Sequence, residues 1–177
     1  MTTAAGGAWQ PDGELDGVQL QGVSVGDVEA DGMRLMDVQL ASGTFTGTDL
    51  ERSAWRDCHL TSVRFVAVAL ARSRWDGSRI EECSVAGCEL QGAALRRVQL
   101  TGCVLDGVNL RQSVWQDVDL VDCRLREVDL AGARLTGVRF VRCTLDAVDL
   151  SKAELAEVDL RSSQIRLSRG WERLRGA

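Results

Sequence analysis

The feature that most limits the fold of this chain is an apolar residue at every fifth position. From Leu15 to Ile165 the multiples of five form thirty-one positions, here called centres, in one phase and without an insertion. Twenty are Leu, and the others are Phe, Trp, Val, Ile or Ala. A helix turns about 100° per residue and would spread this pattern around its whole surface. A straight strand would send successive centres to opposite faces, so neither element explains the period.

A second set of small or apolar residues lies two positions before each centre, as Val128 lies before Leu130. No charged residue occurs among these sixty-two positions, although 27% of the chain is charged. A centre and the residue two before it lie on the same side of an extended segment. Eleven of the eighteen Gly lie two residues after a centre, where a bend with positive φ would aim the next pair at the same axis. The pattern therefore predicts a solenoid with its apolar interior between stacked coils.

Longer periods indicate the number of sides in each coil. Val dominates before alternate centres, and this ten-residue alternation favours an even number of sides. Two sets of residues also recur at multiples of twenty: Cys83, Cys103, Cys123 and Cys143, and Trp55, Trp75 and Trp115. Four five-residue sides per coil fit both observations.

The runs Val-Asn-Leu and Val-Asp-Leu around centres 110, 120, 130, 150 and 160 resemble the loose motif A(D/N)LXX of the pentapeptide repeat family. The resemblance covers residues 13–167. It implies an all-β fold, a right-handed quadrilateral parallel β-helix of nearly eight coils, about 35–40 Å long at ~4.8 Å per coil. We expect an N-terminal tail or cap over residues 1–12, the β-helix over 13–167, and a cap or dimerisation segment over 168–177.

The two ends of such a solenoid need covers. At the amino end Trp9 is the only bulky residue available as a lid. At the carboxyl end Leu167, Trp171 and Leu174 have the i, i+4, i+7 spacing of one helical face, and Ser168 is its candidate cap. So short a helix must pack on something, either its own last coil, giving a capped monomer, or a second copy. We favour the homodimer, which the resemblance to gyrase-binding members also implies.

No arrangement of residues typical of catalysis is found in the sequence. The only histidine, His59, lies in an outward position, and there is no phosphate-binding loop or metal-ligand spacing. All six Cys lie two residues before a centre, which favours buried small residues over the exposed thiols of a redox or metal site. We therefore expect no enzyme, no cofactor and no metal.

Charge and hydropathy limit the partners. A net charge of −5 weighs against direct nucleic-acid binding and permits a basic partner. No apolar run approaches the roughly 18 residues of a membrane span, and the amino terminus lacks the features of a secretory signal, so we expect a cytoplasmic protein. Twenty arginines against one lysine, with abundant Ala and Gly, suggest a bacterial source.

One of the four predicted walls is the most acidic, with a summed charge of about −3. Its carboxylates are the candidate partner-binding residues, interrupted in their ladder by Ala69 and Asn109: Glu29, Asp31, Asp49, Glu51, Glu89, Asp129 and Asp149. Two interpretations remain open. The wall is a binding surface, or its Asp and Asn residues are those of the family motif and make local hydrogen bonds.

Two functions are compatible with these features. Some pentapeptide repeat proteins, including the mycobacterial fluoroquinolone-resistance protein, resemble B-form DNA in width and charge and bind DNA gyrase. This resemblance implies an inhibitor or protector of a type II topoisomerase, although duplex DNA carries one charge per ~1.7 Å and this chain is less acidic. The alternative is a scaffold or regulatory module with an unrelated partner, since a fold does not fix a function.

Overall fold

The computed structural model describes residues 7–172, and its backbone is a parallel β-solenoid. Its twenty-three strands, each of three residues, form three parallel sheets. Each strand pairs with strands twenty residues away in the chain, so that Trp55 lies opposite Trp75 and Leu125 opposite Leu145. The middle residue of nearly every strand points inward and its two neighbours point outward, as the five-residue period predicts.

Each sheet forms one wall of the rod. Wall one contains β1 (Glu14–Asp16), β4 (Arg34–Met36), β7 (Ala54–Arg56), β10 (Arg74–Asp76), β13 (Ala94–Arg96), β16 (Val114–Gln116), β19 (Arg134–Thr136) and β22 (Glu154–Ala156). Wall two contains β2 (Gln19–Gln21), β5 (Gln39–Ala41), β8 (His59–Thr61), β11 (Arg79–Glu81), β14 (Gln99–Thr101), β17 (Asp119–Val121) and β20 (Arg139–Val141). Wall three contains β3 (Ser24–Gly26), β6 (Thr44–Thr46), β9 (Arg64–Val66), β12 (Ser84–Ala86), β15 (Val104–Asp106), β18 (Arg124–Arg126), β21 (Thr144–Asp146) and β23 (Gln164–Arg166).

Wall four has single β-bridges in place of strands. The chain turns immediately after each wall-four centre, where the N–H of Met33 donates to the carbonyl of Ala30 at 3.3 Å. Only the residue before the centre remains extended, and it pairs with its equivalents in the neighbouring coils. The bridged residues are Glu29, Asp49, Ala69, Glu89, Asn109, Asp129, Asp149 and Arg169. The four-sided, all-β coil predicted from the sequence is confirmed, with one side narrower than the other three.

The bend between two sides has the same backbone conformation at every corner. Every fifth residue from Asp12 to Leu167 has a φ between 49° and 69°, and twenty-one of these residues are not Gly. A left-handed conformation costs an L-residue about 1–2 kcal/mol. The ladder hydrogen bonds hold the bend, as where the N–H of Asp27 donates to the carbonyl of Thr46 at 3.0 Å. Glycine therefore eases this bend but is not required for it.

The interior is a column of stacked side chains. Trp55 lies parallel to Trp75 with ring centroids 4.4 Å apart, and Phe45 lies parallel to Phe65 at 5.1 Å. The sequence indicates only that each of the three wall-one Trp follows a small Ser. The structure adds a hydrogen bond, because the indole N–H groups of Trp55, Trp75 and Trp115 donate to the hydroxyls of Ser53, Ser73 and Ser113.

The six cysteines are free and buried. Their sulfurs take part in the hydrogen bonding of the corners: the backbone N–H of Val63 donates to Cys83 Sγ at 3.3 Å, and the thiol of Cys103 donates to the carbonyl of Ile80 at 3.2 Å. Burial raises the pKa of Cys58 to about 11. These thiols are core residues, as the sequence pattern favours.

Each end of the rod is covered by a tryptophan. Trp9 is 2% exposed, and its ring packs edge-on against Phe45 with centroids 4.9 Å apart. Trp171 is 8% exposed and packs edge-on against Phe140 at 6.1 Å. The lid predicted at Trp9 is therefore present, and Trp171 covers the last coil of its own chain.

The predicted helical face at the carboxyl end differs from the structure. Leu167 lies in a left-handed turn and is 88% exposed, whereas Trp171 is buried. Ser168 lies at an inward position, where its Oγ accepts a hydrogen bond from the N–H of Val148 at 3.0 Å, so it caps no helix. The ladder persists to Arg169, and a helical turn begins only at Trp171. Leu174 lies outside the described residues.

Candidate binding surface

The structure places all seven predicted acidic residues on wall four. Five of them occupy the bridged position and lie one above another along the rod: Glu29, Asp49, Glu89, Asp129 and Asp149. Asp31 and Glu51 lie two residues further along the chain on the same wall. Because bridged residues in neighbouring coils are about 4.8 Å apart, these side chains form one strip along the rod.

Several of these carboxylates accept a hydrogen bond from a backbone N–H of the corner that follows them. Asp49 Oδ1 accepts the N–H of Glu51 at 2.9 Å, and Asp129 Oδ1 accepts the N–H of Ala131 at the same distance. The hydroxyl and N–H of Ser151 both donate to Asp149 and lower its pKa. Asn109 Oδ1 accepts the N–H of Arg111 in the same way at 3.1 Å, but the Asn side chain carries no charge. Local hydrogen bonding, the second interpretation of the sequence, therefore applies to these residues.

Arginines of neighbouring coils compensate much of the wall-four charge. The partners are Asp31 with Arg52, Glu51 with Arg72 at 3.2 Å, Asp129 with Arg111 at 3.0 Å, and Asp149 with Arg169 at 4.0 Å. Within residues 7–172 no ion pair reaches Glu29, Asp49 or Glu89, and Glu89 instead accepts a hydrogen bond from the amide of Asn109 at 2.7 Å. Exposed ion pairs of this kind contribute about 0–1 kcal/mol each to stability, so their main effect is on the surface potential.

The sequence reasoning missed these arginines. The sequence spacing could have indicated two of these pairs, because Arg52 follows Asp31 by twenty-one residues and Arg72 follows Glu51 by the same number. A separation of twenty-one residues is one coil of twenty residues plus one residue. It places the arginine side chain beside the acid of the preceding coil. The wall is therefore a mixed-charge surface.

The uncompensated negative charge is concentrated at the amino-terminal end. No Lys or Arg precedes Arg34 in the sequence, while the first coil and its approach carry six acids: Asp12, Glu14, Asp16, Asp27, Glu29 and Asp31. In the described residues only Glu14 and Asp31 of these six form ion pairs, with Arg34 and Arg52. The strongest negative potential thus lies where wall four begins.

Wall three is the least charged wall and carries exposed apolar side chains. Val66 and Val104 are each 40% exposed on its surface, and Ile165 is 38% exposed at its carboxyl-terminal edge next to Leu167. Apolar contact with a partner is therefore available on wall three and at the carboxyl-terminal end.

The remaining candidate groups form no reactive arrangement in the described range. His59 lies on wall two, where its Nε2 is 3.4 Å from Glu81 Oε2 in an exposed pair. Residues 7–172 contain no group of three or more His, Cys, Asp or Glu side chains placed to hold a metal ion. The same range contains no helix that is long and apolar enough to cross a membrane.

Comparison with known proteins identifies the repeat. The family model described as a pentapeptide repeat region matches residues 73–150 and 93–169. No curated protein sequence matches the chain significantly.

Solved structures with the same kind of repeat are distant. QnrB1, a plasmid-mediated fluoroquinolone resistance protein, is 15% identical over 84% of this chain and 91% of its own, with a TM-score of 0.33. HetL, involved in heterocyst differentiation regulation in Nostoc sp. Strain PCC 7120, is 18% identical over 87% of each chain, with a TM-score of 0.29. Rfr23 from Cyanothece 51142 is 17% identical over 85% of this chain and 90% of its own, with a TM-score of 0.27. Structural similarity at TM-scores this low does not indicate a function.

Proposed function

The chain belongs to the pentapeptide repeat family, and we propose that it is a non-enzymatic binding protein of the bacterial cytoplasm that inhibits or protects DNA gyrase or another type II topoisomerase. The observation that carries the proposal is the charge distribution of the rod. The first coil and its approach carry six acids and no Lys or Arg, only two of the six are paired with an arginine of the next coil, and carboxylates continue from there along wall four. Such a strip complements a basic protein surface. The choice of topoisomerase rests on the resemblance to gyrase-binding members of the family.

The density of charge decides how closely this strip imitates DNA. Duplex DNA carries one charge per ~1.7 Å. Wall four carries seven carboxylates over seven coils, or about one per ~4.8 Å, and arginines compensate four of them. We therefore expect a few uncompensated carboxylates near the amino-terminal end to contribute most to binding, without a continuous imitation of the phosphate backbone.

A gyrase supercoiling assay tests this proposal with a matched pair of variants. Glu29→Gln with Asp49→Asn removes two of the three wall-four charges that have no arginine partner, the third being Glu89, and Asn at position 49 keeps the oxygen that accepts the corner N–H, as Asn109 does. Asp106→Asn with Asp146→Asn removes the same charge from wall three. The wall-four variant should need about tenfold more protein for half-inhibition, about 1.4 kcal/mol of binding, and the wall-three variant less than twofold more.

The assay also separates the two functions. Equal effects of the two variants would remove wall four from the binding surface. Absence of any effect of the intact protein on gyrase would remove gyrase as the partner.

A scaffold or regulatory module with an unrelated partner is the second candidate. The arginine compensation of wall four favours it, because a surface of alternating charge suits an ordinary protein partner better than a site that binds DNA. Wall three, with Val66 and Val104 exposed, offers apolar contact to such a partner. In that case Val66→Ser with Val104→Ser should weaken binding of the partner, whereas Glu29→Gln with Asp49→Asn should have a smaller effect.

We also propose that two copies associate through their carboxyl-terminal ends. Ile165 and Leu167 are exposed there, and Leu155 and Leu160 are only partly buried. Burying such apolar surface against a second copy is favourable at about 25 cal/mol per Å².

A further inference from the structure

The interior of the rod contains a cavity of about 50 Å³. It lies between Trp75 and Trp115, and only inward-pointing side chains line it. Val85 and Leu90 point to the rod axis and yet remain partly accessible, in contrast to Phe45 and Leu50, which occupy the same two columns and are fully buried. Their accessible surface therefore faces this internal space.

The cavity follows from the distribution of aromatic rings. The coil that contains Trp55 also contains Phe65, and the Trp55 ring stacks directly on Trp75. One coil later the Phe65 position is Val85, and the Trp75 position is Leu95. Two successive coils thus lose one ring each, while the backbone keeps its width because every side remains five residues long.

The lining excludes water. The polar side-chain atoms of its lining residues already have partners: the indole N–H groups of Trp75 and Trp115 donate to the hydroxyls of Ser73 and Ser113, and the thiol of Cys103 donates to the carbonyl of Ile80 at 3.2 Å. A buried water needs two to four polar partners, whereas apolar cavities stay dry and take up apolar molecules. An apolar cavity of about 150 Å³ binds benzene or xenon, so a third of that volume is too small for benzene and suits one molecule no larger than xenon.

We propose that this cavity is a binding site for a single small apolar molecule without hydrogen-bonding groups, of the size of xenon or dioxygen. The side chains nearest to the bound molecule are Val85, Leu90 and Leu105, which line the cavity between the two tryptophans. Binding depends on shape and dispersion contacts alone, so it should be independent of pH and salt.

Xenon is the probe for the experiment, applied under pressure to the intact protein with methyl NMR as the readout. Saturable shifts of the Val85 and Leu90 methyl signals, with the methyls of Val25 unchanged, are the expected result. Val85→Leu fills part of the cavity and should lower xenon affinity at least fivefold and raise the unfolding temperature. Val25→Leu makes the same change in the same column in the first coil and should leave xenon binding within twofold.

Near-ultraviolet circular dichroism of the stacked tryptophans confirms that each variant is folded. Absence of saturable shifts in the unaltered protein would overturn the proposal, as would unchanged xenon affinity in a folded Val85→Leu variant. Equal losses in the two variants would also overturn it, because they would place the xenon site outside the cavity.

Discussion

The two ends of the rod are covered by the same pair of residue types, a tryptophan edge-on to a phenylalanine, but they are covered to different extents. At the amino end Trp9 is 2% exposed, and in the coil beneath it Leu20, Val25 and Ala30 are at most 5% exposed, while Leu15, Val18 and Val28 are partly buried. At the carboxyl end Trp171 is 8% exposed, and beside it Ile165 is 38% exposed. One tryptophan thus closes the first coil more completely than the last.

The cause of the difference lies in the coils that the tryptophans cover. The first coil has small centres at Val25 and Ala30, which leave room for the Trp9 ring to reach Phe45 of the next coil. The last coil keeps Ile165 near the rim, and Gly170 takes the place of an apolar centre on wall four. A solenoid end is therefore closed by the fit between a large cover and the small residues beneath it, and not by the cover alone.

The largest effect is expected for Trp9→Ala. Trp→Ala in a core costs about 3–5 kcal/mol, and this change also exposes the first coil and the face of Phe45. Trp171→Ala should cost less, about 2 kcal/mol, because the end it covers is already partly open. Urea unfolding followed by far-ultraviolet circular dichroism measures both, and a larger loss for Trp171→Ala would reverse the comparison.

A smaller loss of folding stability, about 2 kcal/mol, is expected for Gly170→Ala. A Cβ at Gly170 would meet the carbonyl carbon of Leu150 at 2.5 Å, and its φ of +87° disfavours any other residue. The last coil should loosen and expose Trp171. Gly22→Ala is the control, because that corner has positive φ but no atom within 4 Å, so only the backbone cost of about 1 kcal/mol remains. Red-shifted tryptophan emission should appear in Gly170→Ala alone.

The pH dependence of stability reports on the middle of the rod. Burial raises the pKa of Cys58 to about 11 from 9.0, so the folded state favours the neutral thiol. The stability that the buried neutral thiol of Cys58 contributes is complete below pH 9, and it is lost as the pH rises from 9 towards 11. Relative to Cys58→Ser, whose hydroxyl does not titrate there, the protein should lose on the order of 1 kcal/mol between pH 8 and pH 10.5. Parallel pH curves for the two proteins would contradict the burial of this thiol.

The smallest effect on stability, and the clearest on assembly, is expected for Ile165→Glu with Leu167→Glu. Leu167 is 88% exposed and Ile165 38%, so the free energy of unfolding should fall by about 1 kcal/mol or less. Light scattering of the intact protein should read close to twice 19.2 kDa, and the variant should read 19.2 kDa. Val104→Glu, equally exposed on wall three, should remain a dimer. A monomeric intact protein would leave Trp171 as a simple lid.

Much of the fold follows from the sequence because the period is local and repeats without interruption. Five-residue spacing is sufficient to infer the solenoid, and the scarcity of large residues before residue 13 is sufficient to propose Trp9 as the lid. The segment after Ile165 was harder, because the i, i+4 spacing of Leu167 and Trp171 indicates a helix. In the structure the ladder bond from Leu150 to Arg169 keeps that segment in the coil.

The surface and the cavity depend on contacts that no local pattern contains. The pairing of Arg52 with Asp31 requires the coil length and the reach of the arginine side chain together. The space beside Val85 results from the combined volumes of several coils, so it is not apparent from any single repeat. In contrast, the lack of basic residues before Arg34 is visible in the sequence and could have located the acidic end.

Amide hydrogen exchange along the whole chain tests the central claim, a regular solenoid closed at its amino end and open at its carboxyl end. At nanomolar concentration, where two copies do not associate, peptides from residues 13–150 should be protected, including those of the first coil. Peptides from residues 153–169 should exchange at least tenfold faster than those of the first coil. Faster exchange in the first coil than in the last would contradict the account, and so would uniformly rapid exchange along the rod.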